Sequence, residues 1–437
     1  MKKYIIILAA AAPLMSYSQQ KWSLDMCIDY AHQHNLTIRK SENSIRTAEI
    51  NLFSAKKEWL PTVSATVSED FVNNGTAAGL TLTTDAKTNL LRTLGGVKAS
   101  MPLFDNYRIN NLIKSNEFSL EAASQNLELA KKNIDIKIAT SYMQTLYYRN
   151  MASVYDKQND VCAAIVTRAQ ALYDSGKRPY SELAEAQAQQ ASNQYQLIQT
   201  KGNADVSLLE LAQLLNMEYA DTFDIMDVKS EINDELPSLR EVSENAASKY
   251  PSVLSAWSQL QAAKHDLKVA KRDLYPKATL EVNAQTAYFN QLSPKDSPLA
   301  KFPKQFFDTN LYEMIGVHVN IPIFNLFQTR AKISKAQTAI VDKQLSLDEA
   351  RLNIVKDIQT VWTNAKVAYS KYLSALKAEE STLVSFNYIQ ESYNVGRSTM
   401  FNLLEAQQKH FKAQQDAIQA RYEYLIRVRI LEFYRNL

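Results

Sequence analysis

The chain has 437 residues, of which 49 are lysine or arginine and 46 are aspartate or glutamate, and its formal net charge at pH 7 is +3. This balance leaves no basic excess for nucleic acid, and the two cysteines, Cys27 and Cys162, form no CxxC motif and imply no disulfide framework. Only 8 residues are glycine, against an average usage of about 7%. Because glycine costs a helix about 1 kcal/mol relative to alanine, this scarcity indicates a mostly helical backbone.

The first 18 residues predict a secretory signal peptide. Lys2 and Lys3 precede an apolar run that extends to Leu14, and small residues then precede a cleavage site that we place near Ser18. The run is too short to span a bilayer, and no later stretch approaches about 18 continuous apolar residues. We expect an exported chain that begins near residue 19, with a net charge of +1 because two lysines are removed from a total of +3.

The rest of the sequence contains one pattern twice. The Met-Pro-Leu-Phe motif of residues 101–104 recurs as Ile-Pro-Ile-Phe at residues 321–324, and a Tyr-x-x-Gly motif that begins at Tyr173 recurs at Tyr393, both at an offset of 220. We therefore interpret the mature chain as two structural repeats, residues 19–236 and 237–437.

Both repeats predict the same order of elements: a helix ended by a proline, a β-hairpin, a long helix, a tip turn and a shorter returning helix. A linker rich in Asp and Glu joins the repeats. Matching residues of the two repeats are 215 positions apart as far as Pro61 and 220 apart from Met101 on. We therefore expect an exposed loop between Pro61 and Met101, where a difference in length is tolerated. The predicted ranges are 24–59 and 239–274 for the first helices, 62–101 and 277–321 for the hairpins, and 105–173 and 325–393 for the long helices.

The hairpins alternate apolar with polar residues, as in Ile315, Val317 and Val319 against Gly316 and His318. This period suits strands of a membrane barrel, and it also suits hairpins that are half buried in water. One chain supplies four candidate strands, whereas closed barrels need about eight or more. Because unpaired backbone in lipid costs several kcal/mol per group, a membrane barrel here requires several chains, and the pattern leaves dimer, trimer and tetramer open.

Both long helices carry apolar residues every seven positions, which predicts coiled-coil packing. The spacing includes Ile113, Leu120, Leu127 and Ile134 in the first repeat and Ile333, Ile340, Leu347 and Ile354 in the second. A helix over residues 105–173 would be about 100 Å long, and the first and returning helices of a repeat together match that length. We therefore predict a rod-like helical bundle that is built twice.

The motifs resemble those of the TolC outer-membrane efflux family over essentially the whole mature chain. The resemblance lies in the two Tyr-x-x-Gly tips, in the sequence that follows the second tip to Gln407, and in the corners that end in Phe104 and Phe324. It implies a mainly α fold with a β-barrel portion: a homotrimer whose long coiled-coil helices form a periplasmic α-barrel and whose four strands per chain form a 12-stranded barrel in the outer membrane.

The resemblance also implies a function and partners. The chain would be the outer-membrane channel subunit of a tripartite efflux or type I secretion system, a passive conduit in a Gram-negative-type cell. It would contact outer-membrane lipid, a periplasmic adaptor (membrane fusion protein) and, through the adaptor, an inner-membrane pump or exporter, without binding nucleic acid. The cargo, whether a drug, a metal, a small molecule or a protein, is left open.

Site residues follow from the resemblance by motif position. The expected periplasmic gate and pore residues are Tyr393, Arg397, Asn402 and Glu405. The expected adaptor-contacting tip residues are Gly176, Lys177, Arg178, Gly396, Arg397 and Ser398, and the barrel corners are Pro102, Phe104, Pro322 and Phe324. Asn402 replaces an aspartate of well-studied members, and Ser398 stands at their basic position, so one of two acidic rings would be uncharged.

Two other classes of protein compete with a channel. A non-transport periplasmic coiled-coil scaffold would use the same helices and pack its hairpins on each other in water. An exported hydrolase would need a nucleophile or metal constellation, but the sequence has no HExxH, no Gly-rich phosphate loop and no GxSxG. We therefore predict a protein that is not an enzyme and has no catalytic residues, metal site or cofactor.

Overall fold

The computed structural model of the chain describes residues 21–75, 88–218, 223–227, 236–291, 301–325 and 327–435. The predicted signal peptide lies outside these residues, as do most of the acidic linker and residues 76–87 of the predicted loop in the first hairpin.

The described chain is mostly helical with four strands, which confirms the predicted fold class at this level. The helices are α1 (Leu24–His34), α2 (Leu36–Lys57), α3 (Arg108–Asp174), α4 (Tyr180–Leu214), α5 (Leu239–Lys249), α6 (Pro251–Arg272), α7 (Phe302–Lys304), α8 (Gln328–Asn394) and α9 (Met400–Arg435). A π-helical turn, Gln305–Thr309, continues α7. The strands are β1 (Thr62–Gly75), β2 (Thr88–Phe104), β3 (Lys277–Gln291) and β4 (Tyr312–Asn320).

The prediction of one unbroken first helix in each repeat is wrong, because both helices are interrupted. Tyr250 has an extended backbone between α5 and α6, since the ring of Pro251 excludes the helical conformation for the preceding residue. Asn35, which no proline follows, also has an extended backbone and separates α1 from α2. Its buried side chain accepts a hydrogen bond from the amide of Thr37 (2.8 Å) and donates one to the carbonyl of Leu214 (3.0 Å).

The chain forms two compact units. The first comprises Met1–Glu42, Asn126–Val253 and Ala350–Leu437, and the second comprises Asn43–Gln125 and Leu254–Glu349. Each unit takes segments from both sequence repeats, because the long helices α3 and α8 each contribute to both.

The second unit contains an antiparallel sheet with the order β1-β2-β3-β4. Its register aligns Val63 with Ala99, Ala99 with Val282, and Val282 with Ile315, and so gathers apolar residues on one face. We call this the apolar face; Val67, Val317 and Val319 also lie on it and are more than half exposed.

The opposite, polar face of the sheet carries charged side chains. Lys98 and His318 lie 2.9 Å and 3.5 Å from the two carboxylate oxygens of Glu281. On the same face, Arg92 of β2 pairs with Asp70 of β1 at 2.8 Å. The sheet therefore has one apolar and one ionic surface, and its apolar surface is open to the surroundings of the chain.

The first unit has its core around Tyr142 of α3, whose side chain is fully buried. Its hydroxyl oxygen lies 2.6 Å from the backbone carbonyl of Met226 and 3.0 Å from that of Trp22, so the two carbonyls share its single proton. Residues 223–227 of the predicted linker are thereby packed against the core, and Ile225 forms a parallel β-bridge with Trp22. Within the described ranges, none of the helices combines the length and the apolarity that crossing a membrane requires.

Candidate functional site at the helical tip

The two Tyr-x-x-Gly motifs form helix-ending turns of the same kind. The amide of Gly176 bonds to the carbonyl of Tyr173 (2.8 Å), and the amide of Lys177 bonds to the carbonyl of Leu172 (2.9 Å). Gly396 and Arg397 repeat both bonds at the end of α8. This is a Schellman motif, which needs a left-handed residue after the helix, and the glycines supply it with φ of 66° and 78°.

Tyr393 lies at the centre of the site, with only 4% of its surface exposed. The guanidinium groups of Arg168 and Arg178 each lie 5.9 Å from the centre of its ring. Its hydroxyl lies 3.5 Å from a carboxylate oxygen of Glu182, whose other oxygen pairs with Arg178 at 3.1 Å. We call Arg168, Arg178, Glu182 and Tyr393 the tip cluster.

The tip cluster joins the two sequence repeats within one chain. Arg168, Arg178 and Glu182 belong to the first repeat, whereas Tyr393 ends the long helix of the second. Arg168 also donates to the carbonyl of Asn394 at 3.0 Å. Two cations and one carboxylate around one aromatic ring therefore hold the end of α8 against α3 and α4.

Burial raises the pKa of the Tyr393 hydroxyl, and the nearby negative charge of Glu182 raises it further. Arg178 and Arg168 act in the opposite direction but do not reverse the shift. The hydroxyl therefore remains protonated at neutral pH and keeps the proton that it donates toward Glu182.

An apolar cluster packs around the tip. Its buried members include Ile165 of α3, Leu183 of α4, Phe386 of α8, and Met400 and Leu403 of α9. All four helices of the tip therefore share one small core, and movement of any of them would expose apolar surface.

The other predicted gate residues are exposed. Asn402 donates to the hydroxyl of Ser398 at 3.4 Å, and Glu405 pairs with Lys409, one helical turn further along α9, at 2.7 Å. Arg397 is exposed beside Gly396. The structure thus brings Tyr393 into the tip cluster and leaves Arg397, Asn402 and Glu405 on the surface of the chain.

Among the predicted adaptor-contacting residues, Gly176, Lys177 and Gly396 are exposed on the turns. Arg178 differs, because it is half-buried and paired with Glu182. Sequence reasoning missed Arg168 and Glu182. One signal was available for Glu182, because its counterpart at the offset of 220 is the gate candidate Asn402.

The predicted barrel corners lie at the sheet ends from which the long helices begin. Phe104 ends β2 after a register shift at Pro102, and the next residue, Asp105, caps α3 by accepting from the amide of Ile109 at 2.6 Å. Pro322 and Phe324 follow β4, and Phe324 is 71% exposed. Exposed aromatic rings thus mark both places where a strand leads to a long helix.

No group of three or more His, Cys, Asp or Glu side chains that could hold a metal ion occurs within the residues that the structure describes. One histidine pairs with a carboxylate in the first unit: Nε2 of His32 lies 2.7 Å from the carboxylate of Asp135.

Comparisons with known proteins identify the family and the fold of the chain. The model of a family described as "Outer membrane efflux protein" matches residues 27–217 and 242–434. The outer membrane efflux protein BepC of Brucella suis is 21% identical over 399 residues, which are 91% of this chain and 81% of BepC. The outer membrane protein TolC of Escherichia coli is 20% identical over 297 residues, which are 68% of this chain and 60% of TolC.

Solved structures show the same fold. The outer membrane protein VceC of Vibrio cholerae superposes with a TM-score of 0.77 at 14% identity, over 94% of this chain and 95% of VceC. The CmeC outer membrane channel of Campylobacter jejuni gives a TM-score of 0.75 at 16% identity, over 94% of this chain and 85% of CmeC.

Proposed function

The chain belongs to the outer membrane efflux protein family, and we propose that it is the outer-membrane channel subunit of a tripartite efflux or type I secretion assembly. Efflux at the outer membrane is the function of this family, as the resemblance in the sequence indicated. In the proposal the chain is a passive conduit and performs no chemistry of its own.

The observation that carries the proposal is the two-faced sheet. Its exposed apolar face suits contact with lipid, and its ionic face, with Lys98, Glu281 and His318, suits a water-filled lumen. Strands β1 and β4 are the edges of the four-stranded sheet. Because an open edge is not tolerated in lipid, each β1 would pair with β4 of another copy, and three copies would close a barrel of 12 strands.

The tip cluster supports a gate in the helical part of the conduit. Its contacts hold the end of α8 against α3 and α4, which suits a closed state. Opening would require Tyr393 to leave Glu182 and the two arginines. In this proposal the gate acts mainly through the tip cluster, and Asn402 and Glu405 contribute the polarity of the entrance.

The exposed turns suit the docking of a periplasmic adaptor. Lys177 and Arg397 present cations beside the two glycine turns, whose outer surfaces carry no side chain at Gly176 and Gly396. An adaptor would bring an inner-membrane pump or exporter to this end of the channel.

Two neighbouring residues on opposite faces of β4 provide a direct test. Val317 lies on the apolar face and His318 on the polar face. Their exposed fractions are similar, at 58% for the whole residue Val317 and 52% for the side chain of His318. A lysine on the lipid-facing side of a barrel is unfavourable, by about 2–4 kcal/mol at the bilayer midplane and by less toward the interfaces. We expect Val317→Lys to reduce sharply the amount of assembled protein in the outer membrane, whereas His318→Lys leaves it close to that of the wild type.

The amounts are measured as detergent-stable oligomer in purified outer-membrane fractions. Equal recovery of both variants would contradict the assignment of the faces. A wild-type protein that is recovered in the soluble periplasmic fraction would instead support the alternative of a coiled-coil scaffold.

A further inference from the structure

Residues 301–310, which we call the interfacial segment, cover an edge of the sheet that β4 leaves open. Strand β4 pairs only with residues 277–285 of β3, although β3 extends to Gln291. Beyond that point, the Gln305 side chain accepts from the amide of Phe289 (3.1 Å) and donates to its carbonyl (3.2 Å). Asn310 donates to the carbonyl of Ala287 at 2.7 Å. Side-chain amides thus replace the missing strand.

The interfacial segment lies on the apolar face. Phe306 contacts Gly95, at which an added Cβ would come within 2.7 Å of its ring, and Gly95 alternates with Val97 on that face. Tyr288, which alternates with Val282 on β3, packs edge-on against Phe302 at 5.0 Å. Phe302 stacks on Phe306 at 4.9 Å. The segment is therefore folded onto the surface that the proposed function places against lipid.

The interfacial segment packs beside β3 at the point where a strand that begins at Lys277 would reach the far boundary of the membrane. A tilted transmembrane strand needs about 9–11 residues, and the first 11 residues of β3, counted from Lys277, end at Ala287. Tyr288 and the aromatic rings that contact it follow directly. Aromatic residues are enriched where barrel strands leave the hydrocarbon.

The charges of the segment complement a phosphate-bearing surface. Lys301 and Lys304 are exposed and flank the half-exposed Phe302, and Asp308 is the acid of the segment. Phe307 is 67% exposed. Exposed aromatic rings with lysines beside them suit a bilayer interface, where the rings lie at headgroup level and ammonium groups reach phosphate.

We propose that the interfacial segment is a lipid-binding anchor that holds phospholipids of net negative charge in the outer leaflet through Lys301 and Lys304 while its phenylalanine cluster is immersed at the bilayer boundary. This inference rests on the proposed function, because it requires the apolar face to be in the membrane. It adds a lipid site that caps one strand edge and fixes the depth of the barrel.

Nitroxide-labelled lipids test the anchor in the full-length mature protein. A fluorophore is attached to Thr309→Cys, which leaves the phenylalanine cluster intact, and in separate proteins to Val317→Cys on the apolar face and to Phe401→Cys on α9. The native cysteines are buried and compete little for the label. The protein is reconstituted in phosphatidylcholine vesicles that contain labelled phosphatidylcholine or labelled phosphatidylglycerol.

We expect headgroup nitroxides to quench the label at residue 309, mid-chain nitroxides to quench it at residue 317, and neither to quench it at residue 401. Phosphatidylglycerol should quench residue 309 more than phosphatidylcholine does. Because a lysine near an anionic surface favours binding by roughly fivefold, Lys301→Gln with Lys304→Gln should abolish this preference and leave residue 317 unchanged.

The outcomes separate the two proposals. Quenching at residue 317 without quenching at residue 309 overturns the anchor alone, and indicates that the segment faces water or another copy of the chain. Absence of quenching at residue 317 overturns the proposed membrane barrel itself. An equal preference for phosphatidylglycerol in the wild type and the lysine variant overturns the phosphate contact.

Discussion

The hydroxyl of Tyr393, at the end of the second long helix, lies 3.5 Å from the carboxylate of Glu182, on the first returning helix. These two residues are 211 positions apart in the chain and belong to different sequence repeats. Arg178 pairs with the same carboxylate and also lies over the tyrosine ring. The contact therefore ties the two halves of the chain together at the tip.

Weakening this contact should favour an open tip. A hydrogen bond contributes about 1 kcal/mol, which is roughly fivefold in an equilibrium between two states. Because the contact is long at 3.5 Å, we expect Tyr393→Phe to raise the fraction of time that the channel is open by no more than this factor, and Glu182→Ala to raise it further because Arg178 also loses its partner. Single-channel recording in planar bilayers measures the open fraction.

Tyr388→Phe serves as the matched control for Tyr393→Phe. Tyr388 is on the same helix but is 72% exposed, so loss of its hydroxyl should leave the open fraction unchanged. Equal open fractions in the wild type, Tyr393→Phe and Glu182→Ala would remove the tip cluster from gating.

The glycines of the two tip turns should resist substitution. An added Cβ meets no atom within 4 Å at Gly176 or Gly396, so the cost of alanine there is that of the left-handed backbone, about 1 kcal/mol or somewhat more. Gly202 is also free of neighbours but lies within α4, where alanine stabilises a helix by about 1 kcal/mol.

We therefore expect Gly176→Ala and Gly396→Ala to lower the thermal unfolding temperature and Gly202→Ala to raise it. Circular dichroism of the detergent-purified protein measures the change. If Gly396→Ala and Gly202→Ala shifted the unfolding temperature in the same direction, the left-handed backbone of the turn would not determine the destabilisation by alanine.

The pair of Glu405 and Lys409 should set the charge of the proposed entrance. The two side chains are 2.7 Å apart, so the carboxylate is largely offset by its neighbour. We expect Lys409→Gln to increase the preference of the channel for cations and Glu405→Gln to shift it toward anions. Reversal potentials under a salt gradient measure both. Unchanged potentials in both variants would place this pair outside the conducting path.

The Asp224 carboxylate should stabilise the first unit in a pH-dependent way. Burial acts to raise its pKa, but hydrogen bonds from Arg149 and from the amide of Ile225, together with the charge of Arg149 and a contact from Lys21, outweigh burial and hold the pKa below its ordinary value. Because the folded pKa lies below the unfolded value of about 3.9, the ionised group stabilises the fold at higher pH. This contribution is lost as the pH falls through the folded pKa.

We expect Asp224→Asn to lower the unfolding temperature at pH 7, and the difference from the wild type to shrink below about pH 4. Asp156, which pairs with Lys201 at 3.3 Å on an exposed surface, provides the control, because Asp156→Asn should have little effect at either pH. A difference that stays constant from pH 7 to pH 3 would show that the charge of Asp224 does not contribute.

Much of the fold was predictable because its signals are local. Residues 105–173 and 325–393 were predicted as long helices, and α3 and α8 span Arg108–Asp174 and Gln328–Asn394. Proline corners, glycine tips and heptad spacing determine these limits within short stretches of sequence. The break at Pro251 was missed although its signal is local, since proline disfavours helix at the preceding residue.

The other parts that were missed depend on contacts between distant residues. Asn35 caps α2 locally through the amide of Thr37, but asparagine alone is a weak signal, and its side chain also reaches the distant carbonyl of Leu214. Arg168 and Glu182 join the tip cluster only when α8 packs beside α3 and α4. The interfacial segment likewise depends on the amide of Gln305 replacing a strand backbone, which its sequence does not reveal.

The most direct test of the central claim is planar-bilayer conductance of the detergent-purified mature protein, with its mass determined in the same detergent. We expect a trimer that gives discrete conductance steps, with a larger open fraction in Tyr393→Phe. A soluble monomer or dimer without conductance in either protein would contradict the channel and support a periplasmic scaffold.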